Sequence, residues 1–423
     1  MGLGLSARAH LRKRSIFDST ASRIGQDELL AAFRECMQGT PLELLASSVP
    51  LDDGADGFCF TIDPAEEPVY VELRDEYAVV SAKTSSAGPG YHAFLISCLD
   101  QIEKRLGLAW NWSEDERVGG ETTDETSYAL TRDFPALQAD MAAFLKSFFS
   151  MIAQRARSEG MSKLHISMPL GIEIECAEDE ILTQLGPLTF ADMQAIAESD
   201  AEALERAARA YYPWWCAGFG AAFYRGLALN AMWMSVSWSA PINDEERQAI
   251  DRVLGWCDGA DRLGAEPTLP VKEISDLRRL ANSREPSRLP AEEGIGYRRR
   301  FIRRALTGAW CLSVPGSLRE LLEDDGKTVV FWNDELTVRA SSLIATRKAE
   351  AQQQIEDDTV KRRIEFMPDQ LGKGYLQRAI VEMSGEDGVR HVGIVTVWMV
   401  REGLRPIAKR IAQSLGYGRS RCA

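Results

Sequence analysis

The sequence predicts an α+β protein of two lobes, each a mainly antiparallel sheet with packed helices, and three observations lead there. Strand-like runs come in groups followed by helical runs, which separates α+β from doubly wound α/β architecture. Two stretches, 57–62 and 69–86, are echoed near the C-terminus. The chain has 423 residues, enough for two or three domains. In the echo, Gly57-Phe58-Cys59-Phe60-Thr61-Ile62 is answered by Gly308-Ala309-Trp310-Cys311-Leu312-Ser313-Val314. Asp75-Glu76-Tyr77-Ala78-Val79 before Ser85-Ser86 is answered by Asp334-Glu335-Leu336-Thr337-Val338 before Ser341-Ser342. A duplication of lobes is the expectation that follows.

Residues 1–26 read as a flexible, basic N-terminal tail. The first lobe then covers 27–283 and carries a helical insertion at about 113–228. Its first helix runs from about Asp27 to Met37, with Leu29, Leu30 and Phe33 on one face. Val69 to Leu73 and Tyr77 to Lys83 read as a hairpin. The loop Thr84 to Gly90 leads into a helix through Phe94, Cys98, Ile102 and Leu106. A polar linker, Ser113 to Tyr128, precedes a helix opened by Asp133 and Pro135. Leu164, Ile166 and Met168 alternate as in a half-exposed strand, and 190–212 read as helical. Leu229 to Ile242 reads as a strand, because Ser235, Ser237 and Ser239 alternate with larger residues. Asn243 and Glu246 form a capping box for the next helix.

Arg284 to Gly296 holds two prolines and two glycines and is the expected boundary. The second lobe covers 297–423. It contains a hairpin across Asn333-Asp334-Glu335 and a charged helix over Thr346 to Asp357. Two further strands, Tyr375 to Met383 and Val389 to Val400, flank Gly385-Glu386-Asp387-Gly388, before a last helix from Leu404 to Leu415. The echo extends, on this reading, to Met232-Trp233-Met234-Ser235-Val236 against Val395-Thr396-Val397-Trp398-Met399.

The net charge of −14 argues against a general nucleic-acid binder, which needs a basic surface. Residues 281–423 carry 24 Lys and Arg against 19 Asp and Glu, a balance of +5, so the remainder carries −19. Eight cysteines stand without CxxC spacing, which fits free, buried thiols in a reducing compartment. The apolar stretch 210–243 is broken by Pro213 and glycines, so it is expected in the core and not in a membrane. No secretion signal is read, and a cytoplasmic location is expected.

Three segments carry candidate chemistry. Ser85, Ser86, Gly88 and Gly90 lie between a strand and a helix, where successive N–H groups can form an anion-binding nest. His92 follows at the helix start and is the one candidate base. The segment lacks Walker A spacing, because Lys83 precedes the glycines. Tyr211, Trp214 and Trp215 belong to an aromatic concentration able to anchor a partner or fill a core. Arg298, Arg299, Arg300, Arg303 and Arg304 flank Phe301-Ile302; on a helix they would spread over several faces and meet an acidic partner. The histidines lack metal-ligand spacing, so no metal and no cofactor is expected.

The leading expectation is a non-enzymatic protein-binding protein, cytoplasmic and bacterial in composition, of an immunity or defence-associated kind. Tyr211 to Trp215 and Arg298 to Arg304 would be its partner surfaces. One alternative is an enzyme on a small anionic or phosphorylated substrate, with the glycine turn as cradle and His92 moving the proton. Another is a structural subunit of a larger assembly, and self-association is compatible with either non-enzymatic reading.

Overall fold

Small side chains hide one of the central strands from a hydrophobicity scan. Gly4–His10 forms a strand with Leu5, Ala7 and Ala9 buried in alternation. It pairs antiparallel with Tyr77–Lys83 along its whole length. This segment was expected to belong to a loose tail. Alanine adds little apolar signal, and the strand is recognisable only beside its partner.

The computed structural model describes residues 2–11, 24–51, 56–74, 76–112, 124–160, 163–166, 173–175, 177–264, 269–283, 285–345, 361–368, 374–384 and 390–417. In chain order the first elements are β1 (Gly4–His10), α1 (Gln26–Met37), β2 (Ser47–Pro50), β3 (Gly57–Thr61), β4 (Val69–Arg74), β5 (Tyr77–Lys83), α2 (Pro89–Leu106) and β6 (Trp110–Asn111). There follow α3 (Tyr128–Thr131), α4 (Phe134–Glu159), β7 (Lys163–His165), β8 (Glu173–Ile174), β9 (Glu180–Thr183), β10 (Gly186–Thr189), α5 (Phe190–Glu198), α6 (Ala201–Tyr211), α7 (Ala221–Met234) and α8 (Asp244–Arg262). The last group is α9 (Val271–Ala281), β11 (Phe301–Ala305), β12 (Trp310–Pro315), β13 (Arg319–Leu322), β14 (Thr328–Trp332), β15 (Leu336–Ala345), β16 (Lys361–Pro368), β17 (Tyr375–Ser384), β18 (Arg390–Met399), α10 (Arg405–Ser414) and β19 (Gly416–Tyr417). Helices and antiparallel sheets lie in separate runs, so the fold is α+β.

The chain divides into two compact units. The first comprises Met1–Ser167, Ala177–Asn230 and Gly255–Leu269; the second comprises Met168–Cys176, Ala231–Leu254 and Pro270–Ala423. The expected boundary at 284–296 is therefore not where the division runs. Residues 231–254 and 270–283 go with the second unit.

In the first unit a six-stranded sheet has the order β2-β3-β4-β5-β1-β6. Its inner face carries Phe58, Phe60, Val71 and Val80 against Leu29 and Phe33 of α1 and Leu95 and Leu99 of α2. Helix α2 opens with Pro89 in its first turn and ends at Gly107 in the left-handed conformation. A second core packs α4, α5 and α6 with Tyr211, Tyr212 and Trp215. Asp133 caps α4 by accepting from the Ala136 N–H, and Thr189 with Asp192 forms a capping box for α5. The expected insertion holds these helices and also the strands β7, β9 and β10.

In the second unit a six-stranded antiparallel sheet has the order β13-β14-β15-β18-β17-β16. A smaller sheet, β19-β12-β11-β8, packs with α10, whose Ala408, Ile411 and Ala412 are buried. The Asn243–Glu246 cap is present: Glu246 N–H donates to Asn243 Oδ1 at 2.8 Å and Ile242 N–H to Glu246 Oε2 at 3.0 Å.

Three expectations are corrected here. Residues 229–234 are helical, and 235–243 form no strand; Trp238 takes a positive φ of 57° and donates to the Met232 carbonyl. The serine alternation coincided with a loop. The arginine segment is not a helix but a short 3-10 turn, Tyr297–Arg299, and then β11. The echo is limited to one hairpin, β4–β5 against β14–β15. β3 pairs with β4, whereas its counterpart β12 lies in the other sheet beside β11. Ser85-Ser86 lies in a turn, but Ser341-Ser342 continues β15. Met232–Val236 and Val395–Met399 differ in kind, one helix and loop, the other strand. The expected helix over Thr346 to Asp357 and the turn Gly385 to Gly388 lie outside the described residues.

Placing β1 inside the sheet has a measurable consequence. Ala7→Asp puts an unpaired carboxylate at a fully buried position, and we expect about 3–5 kcal/mol lower stability in urea unfolding. Arg8→Ala, on the opposite face, is expected to cost less than about 1 kcal/mol.

Candidate functional site

A turn with free N–H groups attracts an anion, and here the anion comes from the same chain. Ser86 N–H donates to Glu66 Oε2 at 2.7 Å and Ala87 N–H to the same oxygen at 3.0 Å. The nest expected at Ser85, Ser86, Gly88 and Gly90 therefore exists, but a protein carboxylate fills it. Burial pushes the Glu66 carboxyl up, and the Ala87 and Ser86 N–H bonds pull against that rise. Ser85 and Ser86 are themselves buried.

The turn is closed from every side. Thr84 N–H donates to the Leu3 carbonyl at 2.9 Å, beside β1. Gln184 Nε2 donates to the Ser86 carbonyl at 2.8 Å. Trp214 N–H donates to the Ala87 carbonyl and Gly90 N–H to the Trp214 carbonyl, both at 2.9 Å. Gly88 has φ 109°, and a Cβ there would lie 2.8 Å from Tyr212 Cβ. A Cβ on Gly90 would overlap the Trp214 ring. The two glycines serve close packing against the aromatic segment, which leaves no room for a phosphate.

His92 is fully buried. Its Nδ1 is 2.9 Å from Thr84 Oγ1, and its Nε2 is 3.1 Å from Asp124 Oδ1 and 3.2 Å from Thr126 Oγ1. Burial raises the Asp124 carboxyl, but the His92 hydrogen bond and charge, with the Ala129 and Thr126 N–H groups, hold it at about 2. A His–Asp pair is the arrangement a general base uses, yet here both imidazole nitrogens face protein groups and the ring is fully buried. It ties the start of α2 to the segment before α3.

The expected partner surfaces also turn inward. Tyr211, Trp214 and Trp215 are buried. Trp214 packs on Phe94 and Phe223, and Tyr212 stacks on Trp215 at 5.9 Å. They fill cores, as large aromatics do. The five arginines are engaged within the second unit. Arg298 Nη1 donates to the Gly316 carbonyl, Arg299 lies 4.0 Å over the Trp238 ring, and Arg300 faces the Tyr297 ring. Arg303 donates to Cys311 Sγ at 3.0 Å, and Arg304 pairs with Glu320. Burial lowers both Arg298 and Arg299. Neither cluster offers the open surface expected of it.

The open surface is elsewhere. In the large sheet of the second unit, odd residues of β17 and β18 face α10, and Ala379, Val395 and Val397 are fully buried. The even residues face away. There the register aligns Trp332, Thr337, Trp398, Leu376 and Met367 across five adjacent strands. The next row but one aligns Ile394 with Ile380, and Leu343 lies beyond, 52% exposed. All these side chains are half-buried or exposed. The described helix that packs on this sheet, α10, takes the other face. Between these two rows lies a polar one, Arg339, Thr396, Arg378 and Glu365, so the face is mixed, with more large apolar side chains than a solvated antiparallel face ordinarily carries. The signal was present in β18, Val392-Gly393-Ile394-Val395-Thr396-Val397-Trp398-Met399, whose nearly unbroken apolar run is that of a strand covered on both faces.

A groove of about 370 Å³ lies in the first unit between β10, α5 and α6, lined by Leu185, Pro187, Ile196 and Tyr211. A second, of about 400 Å³, lies beside Arg157, Glu178 and Met193. Neither is lined by His92 or the glycine turn. Among the described residues, no helix is long and apolar enough to cross a membrane, and no group of three or more His, Cys, Asp or Glu is placed to hold a metal ion. No family model matches this chain. No curated protein matches it significantly.

Two measurements probe the turn. Glu66→Ala leaves the Ser86 and Ala87 donors unmatched, and we expect a loss of about 3 kcal/mol, with Glu66→Gln milder because it keeps an acceptor. Asp63, in the same buried turn, accepts from Ala65 N–H at 2.8 Å, and burial raises its carboxyl from 3.8 to about 6. A raised acid stabilises the fold when protonated, below pH 4, and that stability is lost as pH rises through 6. The difference corresponds to about 3 kcal/mol. In urea titrations from pH 4 to 7, Asp63→Asn is expected to remove most of this decline.

Proposed function

We propose that this chain is a non-enzymatic protein-binding protein and that it binds through the open face of its β13–β18 sheet. The observation that supports this is the aligned row of Trp332, Trp398, Leu376 and Met367 on a sheet face that α10 does not cover. Large apolar side chains gathered in rows on one side of a sheet suit an interaction surface better than scattered exposed residues do, and a polar row, Arg339, Thr396, Arg378 and Glu365, runs between them. Trp398, within the row, is of the residue type that carries most binding energy at interfaces, whereas Trp332 at the end of the row lies under the Arg319 guanidinium, which is ion-paired with Glu246. Arg378 is exposed on the same face, between the two apolar rows, and supplies a polar contact there. Nothing in this surface selects a bacterial or defence-associated partner over another protein.

The anionic-substrate enzyme is the weaker reading. Glu66 occupies the anion nest, and His92 has protein on both ring nitrogens. The subunit reading shares the same face and differs only in the identity of the partner.

A photo-reactive phenylalanine derivative at Leu343 tests the proposal in the native host. We expect one dominant cross-linked adduct. Leu376→Arg combined with Ile394→Glu should abolish it while leaving the unfolding midpoint within a few degrees, since both side chains are half-exposed. An adduct to a second copy would assign the face to self-assembly. No adduct above that of a probe at exposed Asp324 would refute the proposal.

A further inference from the structure

Two cysteines that sequence spacing keeps apart, Cys36 and Cys98, meet between α1 and α2. Both helices lie on the inner face of the first unit's large sheet. Cys36 Sγ reaches the Cys98 carbonyl at 3.7 Å across a separation of 62 residues. Cys36 is in the last turn of α1 and retains 8% exposure, whereas Cys98 has none. Arg105, ion-paired with Glu35, lies at the same end.

We propose that Cys36 and Cys98 form a redox-responsive dithiol that closes to a reversible disulfide under peroxide. The pair is chemically unequal, as such a reaction requires. The neighbouring Cys98 and the Arg105 charge, working against burial, hold the Cys36 thiol below its ordinary value. The neighbouring Cys36 thiol and burial push Cys98 well above its own. Cys36 is the attacking thiol, because it is the less buried of the two, and the direction of its shift agrees. Its sulfur attacks one peroxide oxygen, the O–O bond breaks, and hydroxide leaves with Cys36 as a sulfenic acid. The Cys98 sulfur then attacks the Cys36 sulfur, and its proton and the departing hydroxyl form water. Two thiols are oxidised by two electrons and one peroxide is reduced to two waters. A thiol reductant reverses the bridge by exchange.

The bridge would close a loop containing β2, β3, β4, β5 and the glycine turn. It would tie the end of α1 to the middle of α2 and constrain the unfolded chain over that span. This inference is independent of the proposed binding face, since every residue it uses belongs to the first unit.

The full chain, treated with hydrogen peroxide and then alkylated, is mapped by mass spectrometry. The expected result is a Cys36–Cys98 linked peptide lighter by two hydrogens, lost on adding dithiothreitol. The oxidised protein should unfold at a higher temperature than the reduced one. In Cys98→Ser, a dimedone adduct should accumulate at Cys36, and the linked peptide should vanish. Wild-type protein in which both thiols alkylate after peroxide, or in which Cys36 proceeds to sulfinic acid beside a free Cys98, would overturn the proposal. So would bridging of Cys36 to a different cysteine. If Cys98→Ser does not fold, the wild-type map decides alone.

Discussion

The Glu66 carboxylate on the backbone of the Ser86–Ala87 turn is the contact on which the first unit's organisation depends. A buried carboxylate without partners is costly, and so are two buried N–H groups; together they offset part of each other's desolvation, and the carboxyl stays raised. Their pairing fixes the turn that joins β5 to α2. The turn then holds the Tyr212–Trp214 segment by two backbone bonds, and Gln184 ties in the hairpin β9–β10. The sheet core and the helical core of the unit meet at this point. Gly88 and Gly90 are needed because the Tyr212 and Trp214 side chains come too close for any Cβ.

His92 and Asp124 extend the same logic. A histidine next to an aspartate invites a catalytic interpretation, but function needs access as well as geometry. Thr84 and Thr126 satisfy the ring, and no solvent reaches it. The pair works as an internal tie in the first turn of α2, just after the turn that Glu66 holds. Sites that bind polar ligands and sites that bind the chain's own polar groups use the same chemistry. Burial and the identity of the occupant distinguish them.

The second unit shows the converse. Its sheet packs against α10 on one side and carries rows of large apolar side chains, with a polar row between them, on the other. The arginines that drew attention in the sequence are spent on Trp238, Tyr297, Cys311 and Glu320 within the unit. The apolar row across β14 to β16 is assembled from five strands, and no single strand displays it. Only register brings Trp332 and Trp398 into line, through Thr337.

Local pattern alone determined most elements of this protein. The helices α1, α2, α4 and α10, the hairpins β4–β5 and β14–β15, the paired strands β17 and β18 and the cap at Asn243 all follow from periodicity and end signals, because these are short-range effects of backbone and side-chain geometry. The α+β class follows from their order. The anion-binding character of the turn at 84–90 was legible for the same reason, since consecutive N–H groups are a local property. What filled it was not, because Glu66 is 20 residues from Ser86 in sequence. Nor could sequence reveal β1 as a central strand, the different sheets holding the two echo strands, or which face of β18 stays open. Those depend on which distant segment arrives as a partner. Burial and strand register are properties of pairs, and only the tertiary structure forms the pairs.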